Sequence, residues 1–206
     1  NTPFGPTKAV AELTVGLIIG LLRKICFLDA ELKSGKWDKG IGSLLCGKNI
    51  GIIGFGRIGK EVARVLKTFE CNLAYTDPFA ADGLFGMKNI PLDELLGWSD
   101  IISIHVSGSY KIIAESEIKK MKKGAWLVNV SRGGVVDEEA LCHYLKDKHL
   151  AGAALDVFEK EPYQGDLARL DNVILTPHIG SYAKEARVLM EKEAIKNILE
   201  GLEALK

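Results

Sequence analysis

Net charge is the first thing this sequence lacks. Lys and Arg together number 27 and Asp and Glu number 27, so the formal charge at pH 7 is zero. Proteins that bind nucleic acid carry a basic surplus or a basic stripe, and the balance here argues against that class of partner. Cysteine is sparse. Cys26, Cys46, Cys71 and Cys142 are widely spaced, with no CxxC pair and no His at ligand spacing. Neither a disulfide framework nor a metal site is therefore expected, and isolated thiols suit a reducing cytoplasm. A membrane-spanning run is missing too. Leu13 to Leu22 is apolar apart from Thr14, but Glu12 closes it on one side and Arg23 with Lys24 on the other, well short of the ~20 apolar residues a span needs. Ile25, Cys26, Phe27 and Leu28 supply no signal-peptide cleavage pattern. A membrane is thus excluded as a partner and a cytoplasmic location is expected. The Gly16–Gly20 pair within the run reads as a place for close helix packing. The chain also opens at Asn1 without Met, straight into a helical pattern, and is expected to be a piece of a larger protein.

What is present is a regular alternation. Hydrophobic residues make up 47% of the 206, enough for a substantial core. There is no internal repeat and no low-complexity segment. A first long helix is expected over about 8–33, from Lys8 to Lys33, ended by Gly35. Short apolar runs follow at 50–53, 72–75, 101–104, 125–128, 153–155 and 173–175, with helical patterns at 58–69, 91–96, 115–121 and 137–146. A closing amphipathic helix spans about 183–199. The apolar runs are near-continuous rather than alternating, as in strands covered on both faces. Strands alternating with helices predict an α/β fold with a parallel sheet.

Gly54, Asp77, His105, Arg132, Asp156 and His178 each stand just past the carboxyl end of one of these runs. Ligands of open α/β sheets bind at that edge, so these residues are expected to share one site. Gly54, Phe55, Gly56, Arg57, Ile58 and Gly59 match G-x-G-x-x-G between a strand and a helix, and Asp77 closes the next strand. The first glycine permits a tight turn, the second lets backbone approach a pyrophosphate, and the third lets the helix pack close to the strand. The helix N-terminus, with Arg57 and Ile58 in it, then faces the phosphates. A carboxylate at 77 accepts ribose hydroxyls and repels a 2′-phosphate, and Pro78 and Phe79 follow where an NADP site would place a cation. The pattern predicts a Rossmann-type doubly wound sheet that binds NAD, with His105 among the cofactor contacts.

Arg132, Glu161 and His178 are the candidates for chemistry. Hydride exchange with an alcohol needs a group that takes or gives the hydroxyl proton, and histidine suits that task near neutral pH. A carboxylate beside it favours the imidazolium, and arginine holds a substrate carboxylate in a bidentate pair. Each residue alone also has a plainer structural reading, as an ion pair, a solvated loop charge or a polar helix start.

Three stretches narrow this: Ser131 to Leu141, Ala151 to Phe158 with Glu161-Pro162, and Thr176 to Gly180. With them, the chain resembles the D-isomer-specific 2-hydroxyacid dehydrogenases, a family that includes D-3-phosphoglycerate dehydrogenase, from Asn1-Thr2-Pro3 through the final helix. The resemblance implies that Arg132 binds the carboxylate and carbonyl of the substrate, that Glu161 orients the catalytic histidine, that His178 is the acid/base, and that Asp156 lies near the nicotinamide. It implies interconversion of a D-2-hydroxy acid and its 2-keto acid, and a homodimer formed through the first long helix. It also implies that residues 1–206 are the dinucleotide-binding domain alone, with the substrate domain absent from this chain. An NAD-sensing corepressor of the same fold stays open as a different reading. A formate dehydrogenase of the same superfamily is disfavoured, because Gln stands there where this chain has Glu161. The loop Val106 to Tyr110 is shorter than its counterpart in relatives, and Ser181-Tyr182 replaces a commoner Gly-Ser or Gly-Ala beside His178.

Overall fold

The computed structural model describes residues 5–203, and side-chain exposure for residues 5–200; the opening stretch Asn1 to Pro3 of the resemblance lies outside the described residues. Its strands are β1 (Asn49–Ile53), β2 (Asn72–Thr76), β3 (Lys88–Asn89), β4 (Ile101–Ile104), β5 (Ala125–Asn129), β6 (Leu150–Leu155) and β7 (Val173–Leu175). They form one seven-stranded sheet in the order β3-β2-β1-β4-β5-β6-β7. Every neighbouring pair is parallel. The order reverses at β1, whose two neighbours are β2 and β4, and such a switch point opens a crevice at the carboxyl edge.

The helices are α1 (Pro6–Leu22), α2 (Ile25–Lys33), α3 (Arg57–Lys67), α4 (Leu92–Trp98), α5 (Glu115–Lys120), α6 (Glu138–Lys146) and α7 (Lys184–Glu203). The strand runs are continuous because both faces are covered. Ile50, Ile101, Val128 and Ala154 pack with Val62 and Leu66 of α3 and Ile18 of α1. Ile102, Ile104 and Leu127 pack on the opposite side with Leu95 of α4, Ile118 of α5 and Leu141 of α6. Successive strand residues therefore serve opposite cores, as the period of two requires. Among the described residues no helix is long and apolar enough to cross a membrane.

The first helix departs from expectation. It is not continuous from Lys8 to Lys33 but breaks after Leu22, where Lys24 adopts a left-handed φ of 53°. The apolar pattern runs on through Ile25 and Leu28, so periodicity alone gave no stop. The break has a tertiary cause. The Leu22 carbonyl accepts from Ser43 N at 2.7 Å, so the returning chain takes the acceptor that the next helical turn would use. Residues of α1 such as Val10, Ile18 and Leu22 are buried inside the fold, whereas α2 contains no buried residue. The apolar surface expected to serve dimerisation is thus largely spent within the domain. The surplus lies further on, at Ile25, Leu32, Trp37, Ile41 and Leu44, all exposed. The two-residue strand β3 and the short 3-10 turns Leu84–Gly86 and Asp166–Arg169 carry too few residues to show a period.

Candidate functional site

The turn from β1 into α3 sits at the switch point. Gly54 has a φ of +88°, and a Cβ there would come within 2.6 Å of the His105 carbonyl oxygen. No side chain fits between β1 and β4 at this height. A Cβ on Gly59 would strike the Gly54 carbonyl, so the third glycine lets α3 close on the turn itself, while a Cβ on Gly56 would meet open space. Gly56 is the N-cap of α3 and no side chain caps that end. The first N–H groups of a helix have no intrahelical acceptor, so the turn Arg57, Ile58 and Gly59 offers donors and a partial positive charge to an anion. Arg57 is exposed beside it.

Asp77 follows β2 and is tied to the same turn. Its Oδ2 accepts from Phe55 N at 2.7 Å and its Oδ1 from Phe79 N at 2.8 Å. Asn89 on β3 braces its backbone: the Asn89 side chain accepts from Asp77 N at 3.2 Å and donates to Asp77 O at 2.9 Å. Each carboxylate oxygen has a second lone pair left for a hydroxyl donor. An open cradle at Gly56, an uncapped helix end and a carboxylate held against the loop fit an adenine dinucleotide. Asn89 was not foreseen, because a lone polar residue in so short a strand carries no pattern.

His105 follows β4 and is 8% exposed. Its Nε2 lies 2.8 Å from Ser103 Oγ, while Nδ1 is buried without a partner among the described residues. Burial pushes its pKa down to about 3, so the ring is neutral near pH 7. An orphaned ring nitrogen beside the glycine turn is the kind of buried atom that a ligand or water completes.

At the other half of the edge, Asp156 organises the loop after β7. It is 1% exposed; its Oδ1 accepts from Thr176 Oγ1 at 2.6 Å and from Ile179 N at 2.8 Å, and its Oδ2 from Gly180 N at 2.8 Å. His178 lies between these anchors with a left-handed φ of 53°. In the structure the Asp156 carboxylate holds the histidine loop. His178 Nδ1 is 3.0 Å from Glu161 Oε2, and Glu161 Oε1 accepts from Phe158 N at 3.1 Å. The hydrogen bond to His178 holds the Glu161 carboxyl below the ordinary range. Both side chains are exposed at the edge, within reach of a substrate.

Arg132 reaches the same edge from β5. Buried Asn129 fixes its loop, accepting from Ser131 N and Oγ and donating to the Arg132 carbonyl at 3.1 Å. The next residue, Gly133, lies so close to the Phe158 carbonyl that a Cβ would overlap it. The arginine loop is thereby seated on the segment that holds Glu161. The Arg132 guanidinium donates to Ser131 O at 2.7 Å, and among the described residues no carboxylate pairs with it, which sets aside the plain ion-pair reading. Asn129 and Thr176 are further residues that sequence reasoning passed over. A buried amide ending an otherwise apolar strand was the available signal for the first. Tyr182, beside His178, is exposed, with the Arg187 guanidinium 5.1 Å from its ring centre.

The buried His105 makes stability depend on pH. The unfolded chain binds its proton near pH 6.5 and the folded chain only near 3. Below about pH 6.5 the unfolded state therefore holds more protons, and stability falls as pH falls, by up to about 1.4 kcal/mol per unit. Urea unfolding between about pH 7 and pH 5 measures the slope, which His105→Gln should reduce; equal slopes would remove His105 as the source.

Comparison with known proteins gives the family of the chain. The profile of the D-isomer specific 2-hydroxyacid dehydrogenase NAD binding domain matches residues 15–180. A glyoxylate reductase of Thermofilum pendens is 44% identical over 97% of this chain and 63% of its own length. A D-3-phosphoglycerate dehydrogenase of Archaeoglobus fulgidus is 41% identical over 98% of this chain and 41% of its own. The crystal structure of a glyoxylate reductase from Paecilomyes thermophila superposes with a TM-score of 0.93 at 34% identity, covering 98% of this chain and 64% of that one. The chain thus spans less than two thirds of the length of these relatives, and the profile it matches is that of the NAD binding domain. It belongs to the D-isomer specific 2-hydroxyacid dehydrogenase family.

Proposed function

We propose that this chain is the cofactor-binding part of an NAD-dependent oxidoreductase that interconverts a D-2-hydroxy acid and its 2-keto acid. The observation that carries the reading is the His178–Glu161 pair, 3.0 Å apart, on the same sheet edge as the uncapped glycine turn. Bound NAD supplies the hydride acceptor, and in its reduced form the hydride donor. Gly54, Gly56, Arg57, Ile58 and Gly59 receive its pyrophosphate, Asp77 its adenosine ribose, and His105 lines the switch point between them. Asp156 serves the cofactor side through the loop it holds.

With Nδ1 committed to Glu161, the Nε2 of His178 is the atom that exchanges a proton with the oxygen at C2. In oxidation it takes the hydroxyl proton, and in reduction the imidazolium returns it to the forming alkoxide. Glu161 stabilises the positive charge on the ring during the time it carries both protons. Arg132, which pairs with no carboxylate among the described residues, clamps the substrate carboxylate and turns C2 toward the hydride path. These residues read the 2-hydroxy acid head, which a D-3-phosphoglycerate-like substrate shares with simpler acids. The groups that tell such acids apart belong to a substrate domain outside residues 1–206.

In the full-length protein, His178→Asn should leave NAD affinity within about threefold and lower kcat by about 100-fold or more; unchanged turnover of a panel of 2-keto acids with NADH overturns the assignment. A fluorescence titration should show NAD binding at least about tenfold tighter than NADP, because Asp77 repels a 2′-phosphate, and the reverse order refutes the role given to Asp77. We also propose a homodimer contact at α2, the second half of the helix expected over 8–33, and at the exposed apolar residues in and after it, Ile25, Leu32, Trp37, Ile41 and Leu44. Light scattering should give twice the chain mass, and Trp37→Glu with Ile41→Glu should give monomers; a monomeric parent removes the contact.

A further inference from the structure

Cys46 and Cys71 are far apart in sequence, yet the parallel pairing of β1 with β2 brings them together at the amino edge of the sheet. Asn49 is in register with Asn72. The pairing continues backwards out of the strands: Asn72 N donates to Lys48 O at 2.9 Å and Gly47 N to Glu70 O at 3.1 Å. The two cysteines flank this last rung. Cys71 Sγ donates to the Leu45 carbonyl at 3.5 Å, and Cys46 Sγ to Glu70 Oε2 at 3.6 Å. Each thiol therefore reaches the residue just before the other cysteine. The Leu45 carbonyl is one peptide bond from Cys46, which places the Cys71 sulfur within about 6 Å of the Cys46 Cα. A disulfide holds its Cα atoms about 4.4–6.8 Å apart, so closure asks the Cys46 turn to swing its side chain from Glu70 onto the Cys71 sulfur. Cys46 is exposed and Cys71 half-buried, and all four thiols of the chain are free. Cys46 lies in a turn before β1, followed by Gly47 with a φ of +75°, so its side chain is not locked into the sheet.

We propose that Cys46 and Cys71 are a redox pair that closes into a disulfide staple across the entry to β1 and β2. The bridge would close a loop of about 25 residues containing β1, the glycine turn and α3, the unit assigned to the pyrophosphate. A peroxide is the oxidant. The exposed Cys46 thiolate attacks a peroxide oxygen: an S–O bond forms, the O–O bond breaks, and the leaving hydroxide takes a proton to become water. The Cys71 thiolate then attacks the Cys46 sulfenic sulfur, forming S–S as the S–O bond breaks and a second water leaves. Two thiols lose two electrons and the peroxide gains them.

Two features set the character of the bridge. Burial pushes the Cys71 thiol up to about 11, and local desolvation by its neighbours with the Glu70 carboxylate that accepts its hydrogen bond raises Cys46 as well. Few thiolates are present near pH 7, so closure is slow. Poor thiolates are also poor leaving groups, so the closed bridge resists exchange once formed. The pair lies at the sheet edge opposite Gly54, Arg132 and His178, which makes it a device for stability and not a gate on the cofactor.

The test oxidises the chain with hydrogen peroxide and maps its peptides by mass spectrometry. The expected product is a linked pair of peptides containing Cys46 and Cys71, two hydrogens lighter than the reduced pair. Loop closure of this length should raise Tm by about 5–10 °C, reversibly with dithiothreitol, with NAD affinity changed less than twofold. Cys46→Ser and Cys71→Ser should each abolish the rise, and Cys26→Ser should keep it. The proposal is overturned by sulfinic or sulfonic acid at Cys46 with Cys71 still free, by intermolecular bridges through Cys46, or by a linked chain whose Tm does not rise.

Discussion

The site depends on one buried carboxylate. Asp156 sits at the end of β6, shielded from solvent, and receives a hydroxyl and two backbone N–H groups from the chain that leaves β7. A carboxylate out of water needs such donors, and the loop needs the carboxylate, because His178 lies inside it in a left-handed conformation that costs a non-glycine residue about 1–2 kcal/mol. The same constraint decides where the imidazole goes. Anchored on both sides, His178 presents Nδ1 to Glu161, and Glu161 in turn is held by the Phe158 backbone just beyond Asp156. One strand end thus positions both partners of the pair.

Contact passes from there to Arg132 without a gap. Gly133 lies against the Phe158 carbonyl, and Asp156 N donates to Asn129 O at 3.0 Å. The arginine loop, the glutamate turn and the histidine loop are three neighbours along the ends of β5, β6 and β7. Parallel strands bring this about cheaply. Every strand leaves the sheet at the same edge, so residues distant in sequence meet there, and short loops need only aim them.

That geometry explains which parts of the fold and site were legible in the sequence. Gly54, Asp77, Arg132 and His178 could be read because each follows a short apolar run, and a run of that kind announces its own end. The glycine motif could be read because its strand and helix flank it. The break after Leu22 could not, since its cause is Ser43, a residue from a segment without periodicity. Asn89 and Thr176 escaped for a similar reason: their roles are set by hydrogen bonds to carboxylates and backbone far along the chain. The role of Asp156 was drawn from resemblance toward the cofactor, and only the three-dimensional loop shows what its oxygens hold.

The cysteines extend that argument to the opposite edge. Their spacing in sequence excluded a disulfide framework of the secreted kind, and spacing is all that a linear reading can weigh. Parallel pairing reverses the geometry: the turn that enters β1 and the turn that enters β2 are neighbours because the strands are in register, however long the helix between them. A βαβ unit therefore has two ends with different chemistry. Its carboxyl end must stay open, with backbone N–H groups free to receive phosphates, so it cannot be tied shut. Its amino end binds nothing in the proposed reaction and is the one place where a covalent tie can stiffen the unit without occupying the cradle. Cys46 and Cys71 stand at that end, where closing the loop and keeping the site open do not compete.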